Sequence, residues 1–462
     1  MLDQMGPFAR LLGITGLLLV GALLAAFVLP APWSWAVGLI YIGYDTWLLA
    51  SMVTSSYRAL RALPPAPPGP VQKLTLAVLI AARNEREVLP GALAAVRAQV
   101  PPPERIVLID DGSTDGTCAL LEEQFGVLFE GRLGRSAQLP ELLVLRKPNS
   151  GKARSLNEAL ALVEEDLVVT LDADTVLDKG ALESVRRAFE AEPSLAAACG
   201  VLRPICAPSW SSSFFEFYQT FEYLRGFLWR LAWMREGTLV LISGAFAAFR
   251  RDRLSEVSGF DPHSSVEDYE LLFRLHRRSL ESGQPLLAKV IGDARASTDA
   301  PARPRVFFRQ RSRWFAGFLE TMFRNQDMVG NPRYGRLGKR HLIIKTIDTL
   351  LPIYGLSAAV LLLVFLGSGH GVGPVVLTAL LAKFLFDLTC HFFCMLMYQR
   401  WQGSRVTVRF ALRALLATLT EPLLFQFLRQ LGAVLGWVRF LRGHTEWHPQ
   451  RLAARSRPEA AE

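Results

Sequence analysis

Hydrophobic positions follow two regimes along the chain. Near both ends they form unbroken runs, and between them they come in short blocks separated by polar clusters. Residues 11–29 contain no charge, and residues 33–53 contain one, Asp45. Each run is long enough for a helix across a hydrocarbon core, which takes ~20 residues. Pro30-Ala31-Pro32 between them predicts a hairpin, residues 1–56. A cleaved leader fits the first run less well, because Asp3 and Arg10 cancel before it and a second span follows at once. Residues 346–366 and 374–398 repeat the pattern around the uncharged, Gly-rich stretch 367–373. The last apolar stretch, 410–440, is interrupted by Arg413, Glu421-Pro422 and Arg429. That favours a re-entrant or interfacial hairpin over one bent span, within a C-terminal membrane region 341–442.

The middle of the chain alternates instead. After the proline-rich stretch 64–70, a stiff linker by composition, apolar runs at 74–82, 105–110, 142–145, 167–171 and 195–201 predict strands. Helical spacing at 86–99, 117–124, 153–163 and 181–190 fills the gaps. Strand–helix alternation with continuously apolar strands predicts a parallel sheet covered on both faces. Ligands of such sheets bind beyond the carboxyl ends of the strands. The polar clusters fall there: Arg83-Asn84-Glu85, Asp110-Asp111-Gly112-Ser113-Thr114-Asp115-Gly116, Lys147-Pro148-Asn149-Ser150-Gly151-Lys152 and Asp172-Ala173-Asp174.

Composition supports membrane insertion: of 462 residues 51% are hydrophobic and only 20% charged, and the mean hydropathy is +0.24. The net charge of +9 is concentrated beside the apolar runs and in an arginine-rich segment, which suits a lipid surface better than nucleic acid. Arg58 and Arg61 follow the second run, and Arg400, Arg405 and Arg409 follow the fourth. The positive-inside bias therefore puts the middle domain and the C-terminus in the cytoplasm of a multi-pass cell-membrane protein. Five cysteines without a C-x-x-C pair point to neither a disulfide framework nor a zinc site. Asp45, Asp348, Lys383 and Asp387 lie inside the spans, where charge is costly; they are read as ion pairs or as the lining of a polar path. Lys383 and Asp387 stand one helical turn apart and are expected to pair.

Asp172-x-Asp174 after a strand suits a hard divalent ion, Mg²⁺ or Mn²⁺, which completes its shell with water and phosphate oxygens. Lys152 and the helix start after Gly151 offer positive charge to a phosphate. No phosphate-binding G-x-x-x-x-G-K-[ST] loop and no dinucleotide G-x-G-x-x-G are present, which argues against ordinary ATPases and nicotinamide enzymes. Glu267-Asp268 opens a predicted helix, where one acid serves as a cap and an ionised Asp can act as general base. Residues 303–314 carry five arginines and the aromatics Phe307, Phe308 and Trp314. They predict a basic amphipathic helix at the membrane interface, with Arg313 and Trp314 available to a phosphate and a sugar ring.

These elements, in this order, resemble membrane-integrated, processive, inverting family-2 glycosyltransferases: poly-N-acetylglucosamine, chitin-oligosaccharide, hyaluronan and cellulose synthases. The matching residues are Arg83-Asn84-Glu85, Asp110-Asp111-Gly112-Ser113, Gly151-Lys152, Asp172-x-Asp174, Glu267-Asp268 and Gln310-x-x-Arg313-Trp314. The resemblance implies an α/β GT-A domain at 57–302 inserted between terminal transmembrane helices, interface helices at 303–340, and a cytoplasmic tail at 443–462. It implies a UDP-sugar donor, N-acetylglucosamine first, a growing polysaccharide acceptor, and a divalent metal on Asp174 with Asp172. Asn84, Glu85 and Asp110 or Asp111 would bind the nucleoside. Lys152 and Asp172 would lie along the diphosphate sugar, and Asp268 would be the base. Glu267, Gln310, Arg313 and Trp314 would hold acceptor and phosphates, and the intramembrane charges would line an export channel. Val266 stands where many members have Thr, and no Pro precedes Asn84-Glu85. The tail is too short for a regulatory β-barrel, and export partners are not readable. Two rival readings are a non-processive transferase adding a sugar to a membrane lipid and an inactive scaffold; retention of Asp174 and Asp268 speaks against the second.

Overall fold

The computed structural model describes residues 6–63, 74–284, 286–369 and 373–443. The linker at 64–70 and the tail beyond 443 lie outside them. The chain divides into two compact units: a helical one (6–63, 217–238 and 307–443) and a sheet-based one (74–216 and 239–306).

Among the described residues the sheet unit contains ten strands: β1 (Leu76–Ala82), β2 (Arg105–Asp111), β3 (Val127–Glu130), β4 (Leu133–Ser136), β5 (Leu142–Lys147), β6 (Leu167–Asp172), β7 (Val176–Leu177), β8 (Leu195–Cys206), β9 (Phe246–Arg250) and β10 (Leu287–Ala300). Their order is β3-β4-β5-β2-β1-β6-β9-β8-β10-β7. At its centre β5, β2, β1 and β6 run parallel, in register through pairs such as Ala82↔Asp110 and Ala81↔Asp172. Leu76 to Ile80 of β1 are fully buried, because helices cover both faces of a parallel sheet. The chain leaves β1 toward β2 and β5 on one side and returns to β6 on the other. The switch point thus falls between β1 and β6, where such sheets open a ligand crevice.

The expected parallel sheet is found at the centre, but the whole sheet is mixed. β9 lies antiparallel between β6 and β8, and the hairpin β3–β4 adds an antiparallel edge to β5. Phe246–Arg250 is five residues between a Ser-Gly-Ala loop and a short helix. That is too brief for periodicity to mark as a strand. In β10 the alternation of buried and exposed positions breaks at Ile291-Gly292-Asp293, where its pairing with β8 also shifts register, and this hides its strand character.

Among the described residues of the helical unit, four helices are long and apolar enough to cross a membrane: Pro7–Val28, Trp33–Arg61, Leu337–Gly367 and Gly373–Trp401. Val408–Leu423 and Phe425–Leu441 form a pair bent by 50° at Leu424, directly after the Glu421–Leu423 turn. Leu17, Phe27, Leu363 and Leu381 are exposed, as lipid-facing residues should be. Polar side chains join the helices: Trp35 Nε1 donates to the Ala358 carbonyl (2.9 Å), Trp437 Nε1 to that of Thr349 (2.8 Å) and Tyr354 Oη to that of Thr15 (2.7 Å). Such bonds replace the hydrophobic drive that lipid removes.

Two glycines on Phe425–Leu441, Gly432 and Gly436, let a neighbouring helix come close. A Cβ at Gly432 would lie 2.7 Å from Arg311 Cβ, and one at Gly436 2.6 Å from Phe315 Cβ, both on the helix Pro304–Arg324. Alanine at either position must force the helices apart, at ~1–3 kcal/mol. Gly432→Ala and Gly436→Ala are expected to lower the thermal midpoint in detergent. Gly43→Ala, which meets nothing within 4 Å, should leave it unchanged.

Candidate active site

The four polar loops extend from adjacent ends of β1, β2, β5 and β6, so backbone register alone gathers them at one edge. Asn84, after β1, adopts a left-handed backbone with φ 59°, a region Asn tolerates because its short side chain bonds locally. Its Oδ1 accepts from the Thr114 N–H at 2.7 Å, and its own N–H donates to Ser113 Oγ at 2.9 Å. Glu85 follows, its N–H donating to Thr117 Oγ1 at 3.3 Å. The first and second loops are thereby tied together. Gly112 (φ 75°) does the same for the second and third: a Cβ there would sit 2.8 Å from the Asn149 backbone nitrogen, so only glycine fits.

The two acids ending β2 are engaged differently. Asp110 accepts from the Ser113 N–H (3.1 Å) and from the Cys118 thiol (2.8 Å). Burial and the Asp110 carboxylate push that thiol up to about 12, so Cys118 is a donor and not a nucleophile. Asp111 accepts from the N–H groups of Ser150 and Gly151, one on each oxygen, both at 2.8 Å. Lys147, itself buried, lies 3.9 Å from Asp111 and is bonded to Glu158. Asp111 thus orders the turn that leads into the helix Lys152–Leu160.

That turn delivers Lys152 into a cluster of acids. Its Nζ lies 2.6 Å from Asp172 Oδ1 and 2.9 Å from Glu267 Oε1. Burial alone would push the ammonium's pKa down, but Asp172 and Glu267, with Asp268 behind them, hold it above the ordinary lysine value. Lys152 is therefore a fixed positive charge. Asp268, in the first turn of the helix Glu267–Ser282, accepts from the Gly244 N–H at 2.7 Å and the Tyr269 N–H at 2.8 Å. Burial and the Glu267 carboxylate raise its pKa, against the opposing pull of Lys152 and the two N–H groups. Gly244 packs closely on it: a Cβ would meet Asp268 Oδ2 at 3.1 Å.

Asp174 Oδ1 accepts from Thr298 Oγ1 of β10 at 3.0 Å, and Thr298 also meets Thr175 Oγ1 at 3.1 Å. Lys147 belongs to the polar cluster that the sequence places after the third strand, whereas Thr298 and Cys118 are not singled out as site residues by the sequence pattern; the unread strand β10 hides Thr298. No group of three or more His, Cys, Asp or Glu forms a metal cage among the described residues. Asp172 and Asp174 offer two carboxylates, a set that fits a hard divalent ion taking its remaining ligands from water and phosphate. A softer, caged metal would not fit them.

The other sequence-predicted residues belong to the helical unit. Gln310, Arg313 and Trp314 lie on the helix Pro304–Arg324, with Gln310 buried. Lys383 pairs with Asp387 as expected, and also lies 2.6 Å from Asp45 of the second helix. Asp348 accepts from Tyr44 Oη at 2.8 Å and lies 3.6 Å from Lys345 Nζ. Each intramembrane charge therefore meets a partner within the unit, as its cost in lipid requires.

The turn makes Asp111 testable by amide exchange. Asp111→Ala removes two charge-assisted bonds worth ~1.5–3 kcal/mol each, so the Ser150 and Gly151 amides should exchange about 10–100-fold faster. Amides in the middle of β1 should be unaffected.

Residues 77–257 match the profile described as Glycosyl transferase family 2. Among curated proteins, the poly-beta-1,6-N-acetyl-D-glucosamine synthase of Staphylococcus epidermidis is 29% identical over 281 residues, covering 60% of this chain and 62% of the relative. That of Staphylococcus aureus strain COL is 28% identical over 282 residues, with the same coverage. The chain thus spans about three-fifths of the length of these relatives. Among solved structures, a mannosyltransferase from Pyrobaculum calidifontis in complex with GDP-Man and Mn²⁺ superposes with a TM-score of 0.55 at 18% identity, covering 84% of this chain and 99% of that one. The sheet unit has a GT-A fold, residues 77–257 are similar to family-2 glycosyltransferases, and apolar helices of membrane length precede and follow them in the chain.

Proposed function

We propose that the chain is a processive, inverting β-glycosyltransferase. It takes sugar from a UDP-sugar, UDP-N-acetylglucosamine first, extends a polysaccharide on the cytoplasmic face of the cell membrane and passes it out through its own helices. The observation that carries the reading is the Lys152 ammonium held between Asp172 (2.6 Å) and Glu267 (2.9 Å), next to the Asp268 carboxylate that the Gly244 and Tyr269 N–H groups fix, at the sheet's ligand edge. The naming of the staphylococcal relatives as poly-N-acetylglucosamine synthases supports the choice of donor.

In this reading Asn84, Glu85 and Asp110 face the nucleoside, and Asp111 holds the turn that presents Lys152. One displacement at the anomeric carbon inverts it. The acceptor hydroxyl attacks as its proton passes to Asp268, and the nucleoside diphosphate departs with its charge countered by Lys152. Asp174, with Asp172, would hold a divalent ion, which supplies further charge neutralisation to the diphosphate when bound. Glu267, after Asp172, favours the charged form of Lys152 and, after burial, disfavours that of Asp268. The roles of Gln310, Arg313 and Trp314 toward phosphates and acceptor rest on the family resemblance.

Asp268→Asn should lower transfer by about 10²–10⁴-fold while UDP-sugar binding persists; a near-normal rate would remove Asp268 as the base. The acid limb of the rate profile should lie above the ordinary Asp value of ~3.9, because the base must be ionised and its pKa is raised. Glu267→Gln removes a repelling charge and should move that limb to lower pH. The same raised pKa makes the folded state bind this proton more tightly. Its stabilising contribution is therefore complete below the ordinary Asp value and is lost as pH rises through the folded one. The direct test is nucleotide release and product size in purified membranes over a panel of UDP-sugars with Mg²⁺ or Mn²⁺. Metal-dependent UDP release with a high-molecular-weight product is the expected result. A single-sugar lipid product would favour the non-processive transferase.

A further inference from the structure

We infer that Arg311, between Gln310 and Arg313, is a positioning residue that fixes the ring of Trp314. Its guanidinium carbon lies 4.7 Å from the centroid of the Trp314 ring and 4.9 Å from that of Phe307. Phe307, Arg311 and Trp314 stand at i, i+4 and i+7 along one face of the helix Pro304–Arg324, where side chains at such spacings meet. A planar cation set against two aromatic faces restricts the rings it touches.

The guanidinium is itself held from outside its own helix. Glu222, on the helix Ser212–Arg235, accepts from Arg311 Nη2 at 2.6 Å. Arg429, on Phe425–Leu441, stands 3.8 Å from the other oxygen of Glu222 and 3.5 Å from Glu421. Glu421 also bonds Arg225, and both are almost wholly buried. Gly432 leaves room for the Arg311 stem. Two further helices thus converge on the one that carries Arg311 and fix where its guanidinium sits. A lysine would keep the charge but lose the planar fork that bonds Glu222 and stacks at the same time.

The consequence for elongation rests on the proposed role of Trp314 at the acceptor sugar, so two readouts are needed. The full-length protein is labelled with 5-fluorotryptophan in detergent, and the Trp314 resonance is identified by its loss in Trp314→Phe. Arg311→Met and Glu222→Gln should each shift or broaden that resonance, and Arg311→Lys should restore it only in part. Arg311→Met leaves Glu222 with Arg429 as a partner, and Glu222→Gln preserves shape, so both variants keep the fold testable. Product length should fall about tenfold in Arg311→Met with the KM for UDP-sugar unchanged, and Arg311→Met should add nothing to Trp314→Ala. An unmoved Trp314 resonance in both Arg311→Met and Glu222→Gln would overturn the inference, as would additive effects with Trp314→Ala. Full-length polymer from Trp314→Ala would instead refute the acceptor role, and the resonance would still report whether Arg311 holds the ring.

Discussion

The ammonium of Lys152 is the charge on which the candidate site depends. Asp172, Glu267 and Asp268 arrive from the end of one strand and the start of one helix. Without a cation among them, three neighbouring carboxylates would repel, and protonation would relieve the repulsion at the expense of their chemistry. Lys152 neutralises two of them directly. It also keeps Asp268 from being pushed further from ionisation. Its own position depends on the Gly151 turn, which is fixed by the two oxygens of Asp111. A residue that the motif suggests as a ligand contact is thus also the scaffold of the site's central charge.

The helical unit solves the matching problem in lipid. Charged groups there cannot rely on water, and Asp45, Asp348, Lys383 and Asp387 are each set against an opposite charge or a hydroxyl. Lys383 joins Asp45 and Asp387, and Asp348 joins Tyr44 and Lys345. Arg225, Glu421, Arg429, Glu222 and Arg311 form a longer chain of pairs. Buried pairs of this kind add little net stability but penalise any packing that separates them. They define how helices distant in sequence must meet, while Gly432 and Gly436 set how closely.

The sequence alone determined a good deal. Long apolar runs demand membrane-length helices whatever surrounds them, because about twenty uncharged residues have no other low-energy solvent. Strand–helix alternation places Arg83–Glu85, Asp110–Ser113, Gly151-Lys152 and Asp172–Asp174 at the ends of strands, and a parallel core then brings those ends to one edge. These are local signals carried by period and composition. The antiparallel β9, the hairpin β3–β4 and the long β10 were not legible, because each is stabilised by the neighbours it pairs with more than by its own pattern. Tertiary structure alone decided that Asp111 bonds a turn, that Thr298 holds Asp174, and that Glu222 reaches Arg311 across 89 residues of chain. Hydrogen bonds and ion pairs of that kind depend on distances between side chains that are remote in sequence, and no periodicity along the chain encodes them.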